Sequence, residues 1–217
     1  MTPPADFAAV VRARRTEKVL ADPAQPVTFA PEVAAKHDAA VLAAVRDAGW
    51  APFHYDRKAD GVVEPWRVTV LEHAACRTVA GRLPEWLGDA VGKLPAMFAA
   101  CGSAVVVSWL PQFRDGEKPA TATEVNVDDE HLAAASAYTQ TLLLSLTAGG
   151  FGTYWSSGGK LRTSEPGRAA FGLEPIARML AIVFVDYPES KDFPVERVPG
   201  KHRDRRGDGW LTRASLD

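Results

Sequence analysis

The sequence predicts one α/β domain, and three features of the 217-residue chain support that prediction. The length fits a single domain, and a hydrophobic content of 47% is enough for a sizeable core. Residues 103–110 and 179–186 are near-continuous runs of Val, Ile and Phe, which are typical of strands covered on both faces. Between these runs, residues 132–148 have the composition of a long helix. Helices are therefore expected to cover the sheet.

The remaining regular elements follow from shorter patterns. Residues 6–20 predict a first helix that ends near a cluster of cations. Residues 37–50 predict an Ala-rich helix that stops at Gly49. The polar segment 55–64 reads as a loop, and the alternating run Trp66–Leu71 that follows it predicts a strand.

The long helix and the C-terminal tail have unusual compositions. Acidic residues at 128–130 precede residues 132–148, whose apolar and small side chains surround the whole circumference, so we expect a helix buried in a core or between subunits. Residues 188–217 are rich in Pro, Gly and charge. We therefore predict a domain over 1–187 and a C-terminal arm over 188–217 that belongs to it.

Composition also excludes several classes of function. The formal net charge of −2 gives no indication of a nucleic-acid partner, and no apolar run is long enough to cross a bilayer. The two cysteines form no C-x-x-C pair, so a cytoplasmic location is expected. The five histidines show no paired metal-ligand spacing, and no metal site is predicted. The sequence at Gly150-Phe151-Gly152 follows a helix rather than a strand, so it does not predict a dinucleotide fold.

Two basic clusters near the chain ends are candidates for phosphate binding. Arginine presents a planar fork that matches phosphate oxygens, and threonine adds a short donor. The alternative is a solvated basic helix end, which the helix dipole favours. The two clusters could converge on one anion. Their candidate residues are Arg14, Arg15, Thr16 and Lys18 at one end and Lys201 and Arg203 at the other.

These clusters resemble the nitroreductase family, whose chains open with R-[RH]-[ST]-x-[KR] and often close with K-x-R. Two internal segments are also similar to the family. Glu64-Pro65-Trp66 matches the end of its loop before a strand, and Ser157-Gly158-Gly159 matches its glycine loop at the flavin ring. The segment 165–173 continues the resemblance, which spans nearly the whole chain.

The resemblance implies a fold, a cofactor and a reaction. The fold would be a three-layer α/β sandwich with a mixed, mainly antiparallel sheet flanked by helices. Two copies would form a homodimer with non-covalent FMN at the interface and the C-terminal arm on the partner subunit. NADH or NADPH would deliver hydride to flavin N5, and a small acceptor such as a nitroaromatic or a quinone would then receive it.

Individual residues suggest roles at the flavin ring. Lys18 would stabilise negative charge that appears on the reduced ring. Gly158 and Gly159 would let the backbone approach the ring with a main-chain N–H as donor. Trp66 and Trp155 would line the ring or substrate slot, although large aromatic side chains more often fill a core or an interface.

Two positions depart from the family pattern at the ring. Glu64 replaces a Gln, and a carboxylate disfavours an anionic reduced ring. Ser157 stands where an acidic residue is frequent. The alternatives are therefore a specialised relative, catalysing flavin destruction, dehalogenation or azoline oxidation, and a flavin-binding protein without turnover.

Overall fold

The computed structural model describes residues 6–57, 61–112, 122–187, 193–202 and 205–214. Its helices are α1 Phe7–Ala13, α2 Pro31–Ala48, α3 His73–Leu87, α4 Leu94–Ala100, α5 Ala122–Ala148 and α6 Glu165–Ala170, with short 3-10 turns at Gly88–Val91 and Gly159–Arg162. Its strands are β1 Glu17–Leu20, β2 Trp66–Leu71, β3 Ser103–Trp109, β4 Thr153–Ser156, β5 Arg178–Val185 and β6 Glu196–Pro199.

Four strands form the central sheet in the order β2-β3-β5-β4, and every neighbouring pair is antiparallel. A separate two-stranded ladder joins β1 to β6. The parallel bridge between Thr16 and Thr153 attaches this ladder to the outer edge of β4. The whole arrangement is therefore a mixed, mainly antiparallel sheet system.

Helices cover both faces of the central sheet, because its two inner strands, β3 and β5, carry buried apolar side chains on both faces. One buried cluster joins Val106 and Ile182 to side chains from α3 and α4. The other joins Val105 and Val183 to side chains from α2 and α5. The order helices, sheet, helices is the predicted three-layer sandwich.

The strongest sequence patterns are confirmed. The apolar runs 103–110 and 179–186 become β3 and β5, and the alternating run becomes β2. The helix predicted over 37–50 is α2, which begins earlier because Pro31 at its first position already has a helical φ.

The predicted first helix over 6–20 is wrong in its second half. The helix ends at Ala13, and Arg14 leaves it with ψ 121° while its N–H still bonds the carbonyl of Val10. Pairing with β6 then draws Glu17–Leu20 into an extended strand. This tertiary contact overrides the local helical pattern, and it places Lys18 on a strand rather than on a helix.

The long helix α5 is only partly covered by its own chain. Tyr138, Leu142 and Leu146 are buried against the sheet, but Leu132 keeps 37% of its surface exposed. In the single chain this helix is therefore not buried on all sides, and burial of its remaining surface between subunits stays a prediction. The part of the chain that the structure describes contains no helix both long and apolar enough to cross a membrane.

The C-terminal tail is less uniform than its composition predicts. Residues Glu196–Pro199 form β6 and pair with β1 of the same chain. Farther along, Trp210 and Leu211 are 79% and 58% exposed. Packing of this last part on a partner subunit stays a prediction.

A polar network at the start of α3 joins both helical layers to the sheet. Asp38 on α2 accepts bonds from the Ser103 hydroxyl at 2.6 Å and from the backbone N–H of His73 at 3.5 Å. The Arg77 guanidinium donates to His73 Nδ1 at 3.2 Å and to the carbonyls of Phe98 and Cys101. Burial and the nearby Arg77 lower the pKa of His73, and Asp38 opposes them only partly.

Folding stability should therefore fall on acidification through the titration of His73. Its pKa in the unfolded chain is near 6.5, so below that pH the unfolded state binds a proton that the folded state resists. Unfolding free energy is expected to decrease as pH is lowered from about 7 to about 5, and His73→Gln should make this decrease shallower. Urea denaturation of both proteins across that pH range measures the difference. Equal slopes would contradict the assignment.

Candidate functional site

The β1–β6 ladder brings the two predicted basic clusters together. Glu17 pairs with Pro199, so the residues before β1 lie beside the residues after β6. The N–H of Gly200 donates to the Thr16 carbonyl at 2.9 Å. A Cβ at Gly200 would approach the Thr16 Cβ to 3.1 Å, so the small residue permits this close contact. The convergence arises from strand pairing, which composition alone did not reveal.

A cavity of about 400 Å³ lies where these segments meet, and we call it the phosphate cavity. It is lined by Arg14, Arg15, Thr16, Pro199, Gly200, Lys201, His202 and Arg206. Among the described residues that line it there is no carboxylate. Cations from opposite ends of the chain therefore surround one volume, and a phosphate group would meet charge-assisted donors there. Arg203 lies outside the described residues.

Lys18 lies two positions beyond Thr16 along an extended chain. Alternate residues of a strand share a face, so both side chains project to the same side about 7 Å apart. The Lys18 ammonium stands 4.8 Å from the centroid of the Tyr154 ring on β4. A ligand that extends from the phosphate cavity along this face would pass the Lys18 ammonium.

The glycine turn, residues 157–159, follows β4 at the opposite end of that strand. Gly158 and Gly159 have φ of 80° and 52°, which residues with a Cβ rarely adopt. The N–H of Gly158 donates to the Ser156 hydroxyl at 3.1 Å, so this N–H already has a partner within the turn. Ser157 is exposed. A ring-facing main-chain donor is thus better placed on another residue of the turn than on Gly158.

Glu64, Pro65 and Trp66 lie at the other edge of the sheet. Trp66 opens β2 and is buried against Phe53 and Tyr138, with ring centroids 5.6 Å and 5.4 Å away. The β2 and β4 strands are separated by β3 and β5, which amounts to about 14 Å at the usual strand spacing. A single chain does not bring this segment next to the glycine turn.

Trp155 is half-buried on β4. Its side chain packs against the apolar cluster that α5 and α2 make with the sheet. Trp66 and Trp155 both pack in or against this apolar cluster, as large aromatic side chains commonly do. Contact of either one with a flavin remains a prediction.

Sequence reasoning missed the ion pairs that hold the phosphate cavity in place. Arg197 on β6 donates from Nη1 to Glu17 Oε1 and to Asp186 Oδ2, both at 2.6 Å. Burial opposes the charged guanidinium, but the two carboxylates more than compensate and raise the pKa of Arg197. The one sequence feature that indicated such an ion pair was Glu17, an acidic residue inside the first basic cluster. Its partner could not be identified because β6 has no recognisable strand pattern.

Metal chemistry has no evident site in the described ranges. No group of three or more His, Cys, Asp or Glu side chains is placed there to hold a metal ion. Both cysteines, Cys76 and Cys101, are buried thiols.

Comparison with known proteins gives similarity at the level of structure alone. No protein-family model and no curated protein matches the chain. The nitroreductase-like family protein from Bacillus cereus is similar over 95% of this chain and 97% of its own, with a TM-score of 0.61 and 20% identity. A nitroreductase with bound FMN from Bacteroides fragilis is similar over 97% and 100%, with a TM-score of 0.59 and 13% identity.

The chain has the nitroreductase fold. A third structure of this fold, from Parabacteroides distasonis, has the provisional name NADH dehydrogenase/NAD(P)H nitroreductase; it covers 98% of this chain and 99% of its own at 16% identity and a TM-score of 0.56. The nitroreductase fold accounts for the overall order of elements. At these identities it carries no residue role across to this chain.

The Arg197 ion pairs should stabilise the fold more than an exposed pair does. The Arg197→Gln substitution would remove the ion pairs with Glu17 and with Asp186, whose side chain is only 9% exposed, and we expect a loss of about 2–3 kcal/mol in unfolding free energy. Arg82→Gln, which removes an exposed pair with Glu85, should cost less than about 1 kcal/mol. Urea denaturation at neutral pH compares the two variants. Equal losses of unfolding free energy would show that the Arg197 ion pairs stabilise the fold no more than the exposed Arg82–Glu85 pair does.

Proposed function

We propose that this protein is an FMN-dependent oxidoreductase that transfers hydride from NADH or NADPH to a small acceptor such as a nitroaromatic or a quinone. The observation that supports the proposal most strongly is the phosphate cavity. Two basic segments about 185 residues apart in sequence line one volume. The nitroreductase fold, which includes a structure with bound FMN, agrees with this proposal.

The phosphate of FMN fits the phosphate cavity in size and charge. Arg14 is half-buried and Arg15 and Lys201 are exposed, so donors approach from both sides of the volume. Arginine forks and the Thr16 hydroxyl suit a phosphomonoester that carries close to two negative charges. We assign phosphate binding to Arg14, Arg15, Thr16 and Lys201, and extend it to Arg203 from the K-x-R motif.

The flavin ring is assigned to the length of β4 beyond the cavity. Lys18 supplies a cation along this path, and its place over the Tyr154 ring limits where the ammonium can lie. The glycine turn allows close approach of a ligand at Gly159, where the space that a Cβ would occupy is open, whereas the corresponding side of Gly158 packs against Met179. Bound there, FMN would accept hydride from a nicotinamide and donate it to the acceptor. The residues of this chain bind the cofactor, orient it and stabilise its reduced charge.

Glu64, Pro65 and Trp66 enter the proposal through a second copy of the chain. In one protomer the strands β3 and β5 separate them from the glycine turn, so contact with a flavin requires the flavin of a partner subunit. We propose a homodimer with FMN at its interface. The incompletely covered α5 and the exposed Trp210 and Leu211 support this proposal, because apolar surface of this kind favours association. A cytoplasmic location accords with the two buried thiols.

The purified protein should be yellow and should release FMN, not FAD, on denaturation. It should also oxidise NADH or NADPH when a quinone is present. The phosphate cavity and the fold motivate both expectations. Absorption spectroscopy, chromatography of the released flavin and the decrease in dihydronicotinamide absorbance are the measurements. A colourless protein that does not bind added FMN would refute the cofactor, and a yellow protein without turnover would indicate the flavin-binding alternative.

Substitutions at Arg14 and Lys18 should change different properties, the affinity for FMN and the reduction potential of the bound flavin. Arg14→Ala is expected to weaken FMN binding about ten- to a hundredfold, because the phosphate keeps its charge in both redox states. Lys18→Ala should leave most of the affinity for oxidised FMN and lower the reduction potential, since its cation meets charge that appears on reduction. Flavin titration and redox titration of each variant, at one salt concentration, measure the two effects.

The Arg82→Ala variant controls for loss of one positive charge on the surface, because Arg82 is exposed on α3. It should change neither quantity. If Lys18→Ala shifts neither the potential nor the rate of flavin reduction, then Lys18 has only a structural contact with Tyr154.

A further inference from the structure

A second cationic cavity lies beyond the glycine turn, and we call it the basic pocket. It encloses about 600 Å³, within the range of small-molecule sites. Its charged lining residues are Lys160, Arg162, Glu165, Arg168 and Arg178, and Gly159 of the glycine turn also lines it. Among the described residues that line it, four cations thus face one carboxylate. None of these four cations has a role in the phosphate cavity.

The walls of the basic pocket are fixed by hydrogen bonds. Arg168 on α6 donates to three backbone carbonyls of the opposite loop, those of Glu174, Pro175 and Ala177, at 2.9–3.2 Å. Arg67 on β2 also holds this loop, through an ion pair with Glu174 at 3.2 Å. The pocket is therefore shaped without a ligand, which reduces the entropy that binding must overcome.

The remaining cations differ in how firmly they are placed. The Arg178 guanidinium lies over the Trp109 ring, 5.2 Å from its centroid, at the base of β5. Lys160 and Arg162 are exposed on the 3-10 turn Gly159–Arg162. Cations on two walls of a concave surface raise the local concentration of anions more than the same charges do on a flat surface.

The position of the basic pocket links it to the proposed redox chemistry. Gly159 belongs both to the glycine turn and to the pocket lining. The phosphate cavity adjoins Thr153 through Thr16, at the other end of β4, and that strand alone spans about 10 Å. The two cationic volumes are therefore separate sites, and the phosphate of one FMN cannot occupy both.

We propose that the basic pocket binds an anionic group, a phosphate or a carboxylate, of the compound that exchanges hydride with the flavin. This inference rests on the proposed function, since it takes the glycine turn as the ring end of the cofactor site. The group belongs either to the phosphates of the nicotinamide donor or to a negatively charged acceptor. Both sources require the same recognition chemistry, and Lys160 and Arg162 supply its exposed donors.

The kinetic test compares charged and uncharged substrates in the holoenzyme. The double variant Lys160→Gln/Arg162→Gln should lower kcat/KM for the anionic partner about tenfold or more, because two charge-assisted contacts are lost. NADPH is compared with N-benzyl-dihydronicotinamide, which has no phosphate. As acceptor, para-nitrobenzoate is compared with para-nitrobenzyl alcohol. An effect confined to NADPH assigns the pocket to the donor, and one confined to para-nitrobenzoate assigns it to the acceptor.

Controls separate charge recognition from damage to the turn. The Arg162 side chain lies close to Gly158, so the single variant Lys160→Gln tests the pocket without changing that contact. Arg82→Gln removes an exposed cation elsewhere and should behave as the wild type. An equal effect on charged and uncharged substrates, or no effect on any, would overturn the proposal.

A binding measurement decides the matter independently of turnover. Calorimetric titration of the FMN-loaded protein with pyrophosphate should show binding that the double variant weakens about tenfold and that Arg82→Gln leaves unchanged. If wild type and double variant bind pyrophosphate equally, the basic pocket is not an anion site. Absence of oxidation of both NADH and NADPH by the wild type would overturn the proposed function, whereas the pyrophosphate comparison would still test the pocket.

Discussion

The candidate site depends on the antiparallel pairing of β1 with β6, which Arg197 closes with its bonds to Glu17 and Asp186. A two-stranded ladder of four residues is marginal by itself, so the ion pairs and the burial of Val19 must add to its stability. Because Asp186 directly follows β5, the same guanidinium also fixes the ladder to the central sheet. The residues before β1 and after β6 are therefore held side by side, and together they line the phosphate cavity.

The β4 strand gives the candidate site its direction. The phosphate cavity adjoins its first residue through the bridge from Thr16, and the glycine turn follows its last residue. A rigid strand in a sheet keeps these two ends at a constant separation, which an elongated cofactor with a charged end and a planar end requires. The basic pocket continues the same line beyond Gly159. Under the proposed function, cofactor anchoring, ring chemistry and substrate recognition would follow one another along one edge of the sheet.

The sequence predicts the parts of this fold whose signals are local. The runs 103–110 and 179–186 were recognisable as strands because burial on both faces requires continuous apolar residues. The strands β1 and β6 were not, since four residues with mixed polarity become strands only through each other. The basic motifs themselves were visible in the sequence. Their meeting, the Arg197 ion pairs and the basic pocket all depend on contacts between distant segments, which a pattern along the chain does not contain.

The two residues that depart from the nitroreductase pattern, Glu64 and Ser157, lie at opposite edges of the sheet. Glu64 precedes β2, whereas Ser157 follows β4, with two strands between them. In a flavin site at a dimer interface, each ring would therefore meet Ser157 from one protomer and Glu64 from its partner. The negative charge of Glu64 would then act across the interface, on the flavin anchored by the partner subunit. In the proposed dimer, Lys18 of the chain that anchors the flavin would oppose that charge, so the balance of charge at the flavin would be a property of the dimer and not of either chain alone.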